Sequence, residues 1–194
     1  MKDFNVEYWD NLFLNKKTGW DIGYAAPAIT EYFDQIKDKN VKILIPGAGN
    51  AYEAEYLNNN GLKNTYVLDF STEAIKSFKK RCPNFPDERI IIQDFFEHTN
   101  KYDYIIELAF FTSFTPENRN KLVQKLSKLL NEKGKYVGLL FTHEFEKPYP
   151  PFGATKQIYD DLFLKYFNYK TFEIAYNSIK PRKNREYFII LEQK

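Results

Sequence analysis

Short apolar runs alternate with longer segments of helical period along most of the chain. The strand-like runs are residues 41–45, 65–68, 89–92, 102–107 and 135–141. Between them, apolar positions recur every three to four residues. Ala25, Ile29, Tyr32, Phe33 and Ile36 do so before the first run, Ala74, Ile75 and Phe78 after the second, and Leu122, Val123, Leu126, Leu129 and Leu130 before the fifth. Pro27 suits the first turn of a helix over 25–37, and Gly61 suits the stop of the helix that follows the first strand. Ser71 and Thr115 are N-cap signals. Beyond a loop at 142–154 with three prolines, a last helix carries Ile158, Leu162, Phe163, Tyr166 and Phe167. Two closing strands, 169–176 and 186–191, have no helix between them.

Strands alternating with helices predict a parallel sheet with helices on both faces. The closing pair, lacking a crossover, is expected to be antiparallel at one side. The fold class is therefore α/β: a seven-stranded, mostly parallel Rossmann-like sheet with helices on both faces and an antiparallel terminal strand. No repeat interrupts the pattern. One domain over 1–194 is expected, with residues 1–24 as a cover segment and 25–194 as the ligand-binding core.

The chemistry gathers where strands end, because ligands of such sheets bind beyond the carboxyl ends of the strands. The first strand stops at Pro46 and enters Gly47-Ala48-Gly49, a small-residue turn that lets backbone approach a nucleotide closely. About twenty residues on, the second strand ends in Asp69, where a ribose diol would be held. A phosphate fingerprint would place a third small residue at position 52, but the chain has Tyr52, followed by Glu53 in the first helical turn. That charge suits the helix dipole and repels a pyrophosphate. The turn thus favours a nucleoside with a cationic or zwitterionic partner group, such as S-adenosylmethionine (SAM), over a nicotinamide dinucleotide. A plain strand–turn–helix corner would use the same residues.

Asp94-Phe95, after the third strand, suits an adenine: the carboxylate accepts from the amine and the ring packs on the base, although a helix cap would look the same. Trp9 and Trp20 in the front segment either anchor it to the core or cover the ligand. The closing hairpin carries Lys180, Arg182, Lys183 and Arg185, which form either a solvated tip or an attraction for an anionic substrate. His98 and His143 are too few and too separated for a metal site, and none is expected.

Composition narrows the classes further. A net charge of +2 makes no electrostatic case for nucleic acid or membrane, and the single Cys82 excludes an internal disulfide and a cysteine metal cluster. Eighteen Phe and fifteen Tyr are more than enough to wall a ligand pocket as well as fill a core. No apolar run reaches the length of a membrane span and no leader pattern opens the chain, so a cytoplasmic setting is expected.

Taken together, Gly19-Trp20-Asp21-Ile22-Gly23, Ala26-Pro27, Ile45-Pro46-Gly47-Ala48-Gly49, Leu68-Asp69-Phe70-Ser71, Asp94-Phe95-Phe96, Phe110-Phe111 and Pro181-Arg182-Lys183-Asn184-Arg185-Glu186 resemble a class I SAM-dependent methyltransferase. More narrowly they resemble the thiopurine S-methyltransferase family, in its halide/thiol (thiocyanate-type) branch. The resemblance implies that Trp9 and Trp20 cover SAM and the active site, that Gly47 meets its methionine part, Asp69 its ribose, and Asp94 and Phe95 its adenine. Gly49, Glu53, Phe70, Ser71 and Glu107 join the implied cofactor set, while Trp20, Phe110, Phe111 and Arg182 face the acceptor. Leu108 stands where the branch often has an aromatic, and Ala48 replaces the family's usual Cys. The implied reaction moves a methyl group from SAM to a small-molecule nucleophile, a thiolate or halide, by in-line displacement, leaving S-adenosylhomocysteine. The alternatives are a SAM- or nucleoside-binding module without turnover and a methyltransferase for an oxygen or nitrogen acceptor. A small-molecule acceptor, no nucleic acid, no membrane, and a monomer or weak homodimer complete the expectation.

Overall fold

A computed structural model describes residues 4–194. Its chain runs α1 (Val6–Leu14), α2 (Pro27–Asp34), β1 (Ile43–Pro46), α3 (Tyr52–Asn59), β2 (Thr65–Asp69), α4 (Thr72–Arg81) and β3 (Ile90–Ile92). It continues with β4 (Tyr102–Leu108), α5 (Arg119–Leu129), β5 (Leu130–Phe141), α6 (Lys156–Phe163), β6 (Phe167–Ile174) and β7 (Glu186–Gln193). The sheet has seven strands in the order β3-β2-β1-β4-β5-β7-β6. All pairs from β3 to β5 are parallel, and β7 is antiparallel to both β5 and β6. The predicted α/β class and antiparallel terminal strand are both present. Because β6 lies antiparallel to β7, it runs with the parallel strands, so the 177–185 connection leaves at their carboxyl ends.

The uninterrupted apolar character of β1 follows from burial on both faces. Leu44 packs into a core with Leu122, Leu126, Tyr159 and Phe163 from α5 and α6. Its neighbours Ile43 and Ile45 pack into the opposite core with Ile29, Phe33, Leu57 and Phe78 from α2, α3 and α4. Helix α1 belongs to neither core: none of its residues is buried. It lies against α4 instead, where the Asp10 carboxylate accepts from the Ser71 hydroxyl and from the Glu73 N–H (3.2 Å).

Of the boundaries that differ from the sequence expectation, three have a clear local reason. The last helix ends at Phe163, not near 167, because Phe167 opens β6 while still filling the same core, so its helical spacing continues without a helix. Strand β5 begins at Leu130, which pairs with Tyr102, and an irregularity intervenes before Lys135 resumes the register opposite Tyr104. Thr115 does not cap α5. Its hydroxyl accepts from the Asn118 side chain (3.3 Å), and a 3-10 turn over Pro116–Asn118 precedes the helix. Among the described residues no helix is long and apolar enough to cross a membrane.

Candidate active site

At the carboxyl end of β1 the backbone takes left-handed conformations at Gly47 (φ +57°), Gly49 (φ +54°) and Ala51 (φ +49°). The first two cost little because glycine has no Cβ. At Gly47 the glycine is also required by space, since a Cβ there would strike the Phe110 ring. The turn is tied to β2 through Asp69. One carboxylate oxygen accepts the Gly49 N–H and the other the Ser71 N–H, both at 2.9 Å. Asp69 is only 6% exposed. Burial pushes its carboxyl up from the ordinary value, and the N–H groups of Gly49, Ser71 and Phe70 oppose that shift. A single acid therefore sets the spacing between the first two strand ends and still lines the cavity beside them.

That cavity has a volume of about 1010 Å³ and opens along the carboxyl ends of the strands. On one side it is lined by Gly47, Gly49, Asp69, Phe70, Asp94 and Phe95. Asp94 caps the following 3-10 turn, its carboxylate accepting from the Phe96 N–H at 2.8 Å. Above the glycine turn lies an aromatic cover. Trp9 and Trp20 meet edge to face at 5.5 Å, Phe13 meets Trp20 at 5.9 Å, and the Phe13 ring would touch a Cβ at Gly49 at 3.5 Å. The third wall is the cluster of Phe95, Phe110 and Phe114, with successive centroids 5.0 Å apart.

The far side is made by the 142–154 loop and the β6–β7 connection. Arg119, 2% exposed, donates to the carbonyls of Phe152 (2.9 Å) and Gly153 (2.8 Å), and the Phe152 N–H donates to the Thr112 carbonyl (2.7 Å). The Arg119 guanidinium lies 5.2 Å from the Phe111 ring centroid, and burial lowers its pKa. Arg182 lines the cavity with its charge already spent: it donates to the Trp20 carbonyl at 2.8 Å and pairs with the buried Glu186 at 3.3 Å. Arg185 also lines it, and donates to His143 Nε2 at 3.0 Å. Burial and that guanidinium hold His143 below its ordinary pKa, so its ring accepts as neutral imidazole.

The cavity thus brings together Trp9, Trp20, Gly47, Gly49, Asp69, Phe70, Asp94, Phe95, Phe110 and Arg182 of the residues singled out in the sequence. Four others stand off it. Glu53 accepts from the Ala26 N–H at 2.9 Å and ties the start of α2 to α3; burial raises its pKa. Ser71 caps α4, its hydroxyl oxygen accepting from the Ala74 N–H at 3.1 Å. Glu107 is fully buried, accepting the Phe111 N–H (3.0 and 3.1 Å to its two oxygens) and the Tyr136 hydroxyl. Burial pushes its carboxyl up to about 7, against those hydrogen bonds. Phe111 fills the core beside Tyr159 and Phe163. Sequence reasoning missed Phe13, Asp10 and Arg119. Arg119 left a signal: a cation in the first turn of a helix opposes the dipole and calls for another reason to be there.

A glycine turn, an acid at the second strand end and an aromatic-roofed cavity, on a sheet whose seventh strand is inserted antiparallel, define the SAM-dependent methyltransferase class. The profile of the thiopurine S-methyltransferase family matches residues 4–191, and the chain belongs to that family. It is 25% identical over 185 residues to the probable thiol methyltransferase 2 of Arabidopsis thaliana, covering 92% of this chain and 81% of that protein. To thiocyanate methyltransferase 1 of the same plant it is 22% identical, with the same coverage. Among solved structures, a 1,6-didemethyltoxoflavin-N1-methyltransferase of Burkholderia thailandensis, with bound S-adenosylhomocysteine, superimposes with a TM-score of 0.72. The two are 14% identical over 97% of this chain and 86% of that one. The chain is thus a SAM-dependent methyltransferase, and its cofactor is SAM. The residues present suit that group: two glycines with no side chain to obstruct a ligand, acids for hydroxyl and amine donors, and aromatic faces for a sulfonium.

Proposed function

We propose that this enzyme methylates a small organic thiol in its thiolate form. The observation that carries the reading is the character of the acceptor side. Among the described residues that line the cavity, the only acids are Asp69 and Asp94, both on the glycine-turn side, and the far side offers aromatic rings and cations. No group among the described residues that line that side is placed to take a proton from a hydroxyl or an amine: the neutral His143 does not line the cavity, and its Nε2 is engaged by Arg185. A thiol needs little help, because it ionises by itself near pH 8.5 and lower beside cations. The volume also argues for an organic acceptor over a single halide ion. At about 1010 Å³ the cavity stands at the top of the range for ligand pockets and has room for SAM and a second molecule.

In this reading Gly47 and Gly49 admit the methionine end of SAM, Asp69 accepts from the ribose hydroxyls, and Asp94 and Phe95 hold the adenine. When bound, SAM supplies an electrophilic methyl group on a cationic sulfur. Trp9, Trp20 and Phe13 exclude water from above that position, and Phe110 closes it from the strand side. The protein's contribution is orientation and dryness, without a proton relay.

The test is S-adenosylhomocysteine release measured against a matched panel: thiophenol, bisulfide, thiocyanate and iodide, with phenol and aniline as oxygen and nitrogen counterparts. Turnover of thiophenol at least 100-fold above phenol and aniline is expected, rising with pH as the thiol ionises. Turnover confined to phenol or aniline refutes the thiol reading.

A further inference from the structure

The hairpin between β6 and β7 brings two arginines to the cavity, and their charges are accounted for differently. Arg182 is neutralised by Glu186, itself 3% exposed, and is held to Trp20. Arg185 has no acidic partner among the described residues; its contact is the neutral ring of His143. Lys147, from the facing loop, also lines the cavity and has no acidic partner among the described residues. The neighbouring acids of that loop, Glu144 and Glu146, do not line it.

Arg185 is not a wandering tip residue. Its N–H donates to the Arg182 carbonyl (2.9 Å), and its own carbonyl accepts from the Thr142 N–H (3.0 Å), so its backbone is fixed against the end of β5. Asn184, in the left-handed region at φ +62°, makes the turn that delivers it. The side chain then reaches the edge of an aromatic cluster: it donates to His143 (3.0 Å), whose ring lies 4.6 Å from Phe145, which in turn meets Phe141 edge to face at 4.9 Å. A guanidinium on a fixed backbone, with no acidic partner among the described residues and beside a cluster of aromatic rings, is a receptor for an oxyanion carried on a flat apolar body.

We propose that the acceptor bears a second, anionic group apart from its nucleophilic sulfur, a carboxylate, sulfonate or phosphate, and that Arg185, assisted by Lys147, binds it. This rests on the thiol reading and sharpens it: the enzyme selects acidic thiols over neutral ones of equal size. Arg185 is the residue that sets this preference, while Arg182 has a structural claim on its charge.

The experiment compares 4-mercaptobenzoate with its neutral isostere 4-mercaptobenzamide by kcat/KM, in the wild type, Arg185→Gln and Lys183→Gln. Lys183 is a cation of the same hairpin that does not line the cavity, so its variant controls for net charge. The wild type should favour the acid at least tenfold, Lys183→Gln should keep that preference, and Arg185→Gln should lose most of it. An unchanged preference in Arg185→Gln, or a wild type that favours the neutral thiol, overturns the proposal. Calorimetry with unreactive 4-methylbenzoate on the protein loaded with S-adenosylhomocysteine separates the two readings. If neither thiol is methylated, the thiol reading fails by itself. Benzoate binding that weakens tenfold in Arg185→Gln then still supports the anion site, and no difference between the two proteins refutes it.

Discussion

Asp69 and Arg185 line the same cavity and are held in opposite ways. Asp69 is nearly enclosed, and both its oxygens are engaged by backbone N–H groups of the first two strand ends. Arg185 is exposed, and its side chain leans on one neutral ring contributed by a loop. The side proposed to hold the cofactor rests on backbone at two strand ends, tied together by the Asp69 carboxylate. The side proposed for the acceptor is made of side chains gathered from the 142–154 loop and the last hairpin. A change on the first side should damage cofactor binding and the corner of the fold together. A change on the second should leave the cofactor side standing and alter what is methylated.

The largest expected effect lies on the cofactor side. Asp69→Ala removes a buried acceptor of two N–H bonds, each charge-assisted bond being worth about 1.5–3 kcal/mol. SAM affinity by calorimetry should fall at least 100-fold, and an affinity within threefold of wild type would break the contrast drawn here. Next comes Arg119→Met, which leaves the Phe152 and Gly153 carbonyls without their donor at a cost of about 1–3 kcal/mol. The thiol KM should rise about tenfold while SAM affinity moves less than twofold. A parallel loss of both would mean that the loop supports the whole cavity.

The smallest effect concerns Glu107, which serves neither side directly. Its pKa rises on folding from 4.5 to about 7 because it is buried, so the folded state holds the proton more tightly than the unfolded one. Its protonation stabilises the fold fully below pH 4.5, and that contribution is lost as pH rises to about 7. Glu107→Gln should flatten the stability profile across this window by on the order of 1–3 kcal/mol, read by urea unfolding at pH 5 and pH 7.5. Equal slopes in both proteins would remove Glu107 from the account.

The same contrast explains how far the sequence could be read. Sheet class and terminal strand direction follow from local periodicity, and the glycine turn and Asp69 lie within one strand–helix–strand unit. The acceptor side depends on partners far apart in the chain. Arg119 reaches carbonyls 33 and 34 residues on, and Arg182 meets the Trp20 carbonyl across 162. No window of residues contains such a contact. Periodicity also assigns a face and not a partner, which is why Glu53 and Glu107 look like free acids in the sequence although the fold engages both. Phe110 and Phe111 show the limit most plainly: adjacent in sequence, one faces the cavity and the other the core.

The insertion of β7 between β5 and β6 sets an order of assembly during synthesis. When β6 leaves the ribosome it has no edge to join, because its only neighbour in the sheet has not yet been made. The β5 edge stays open for the same interval, a template for wrong pairing until residues 186–193 arrive. Arg182 and Arg185 take their places in that same closing step, so the nascent chain completes its glycine-turn corner before the last hairpin walls the cavity.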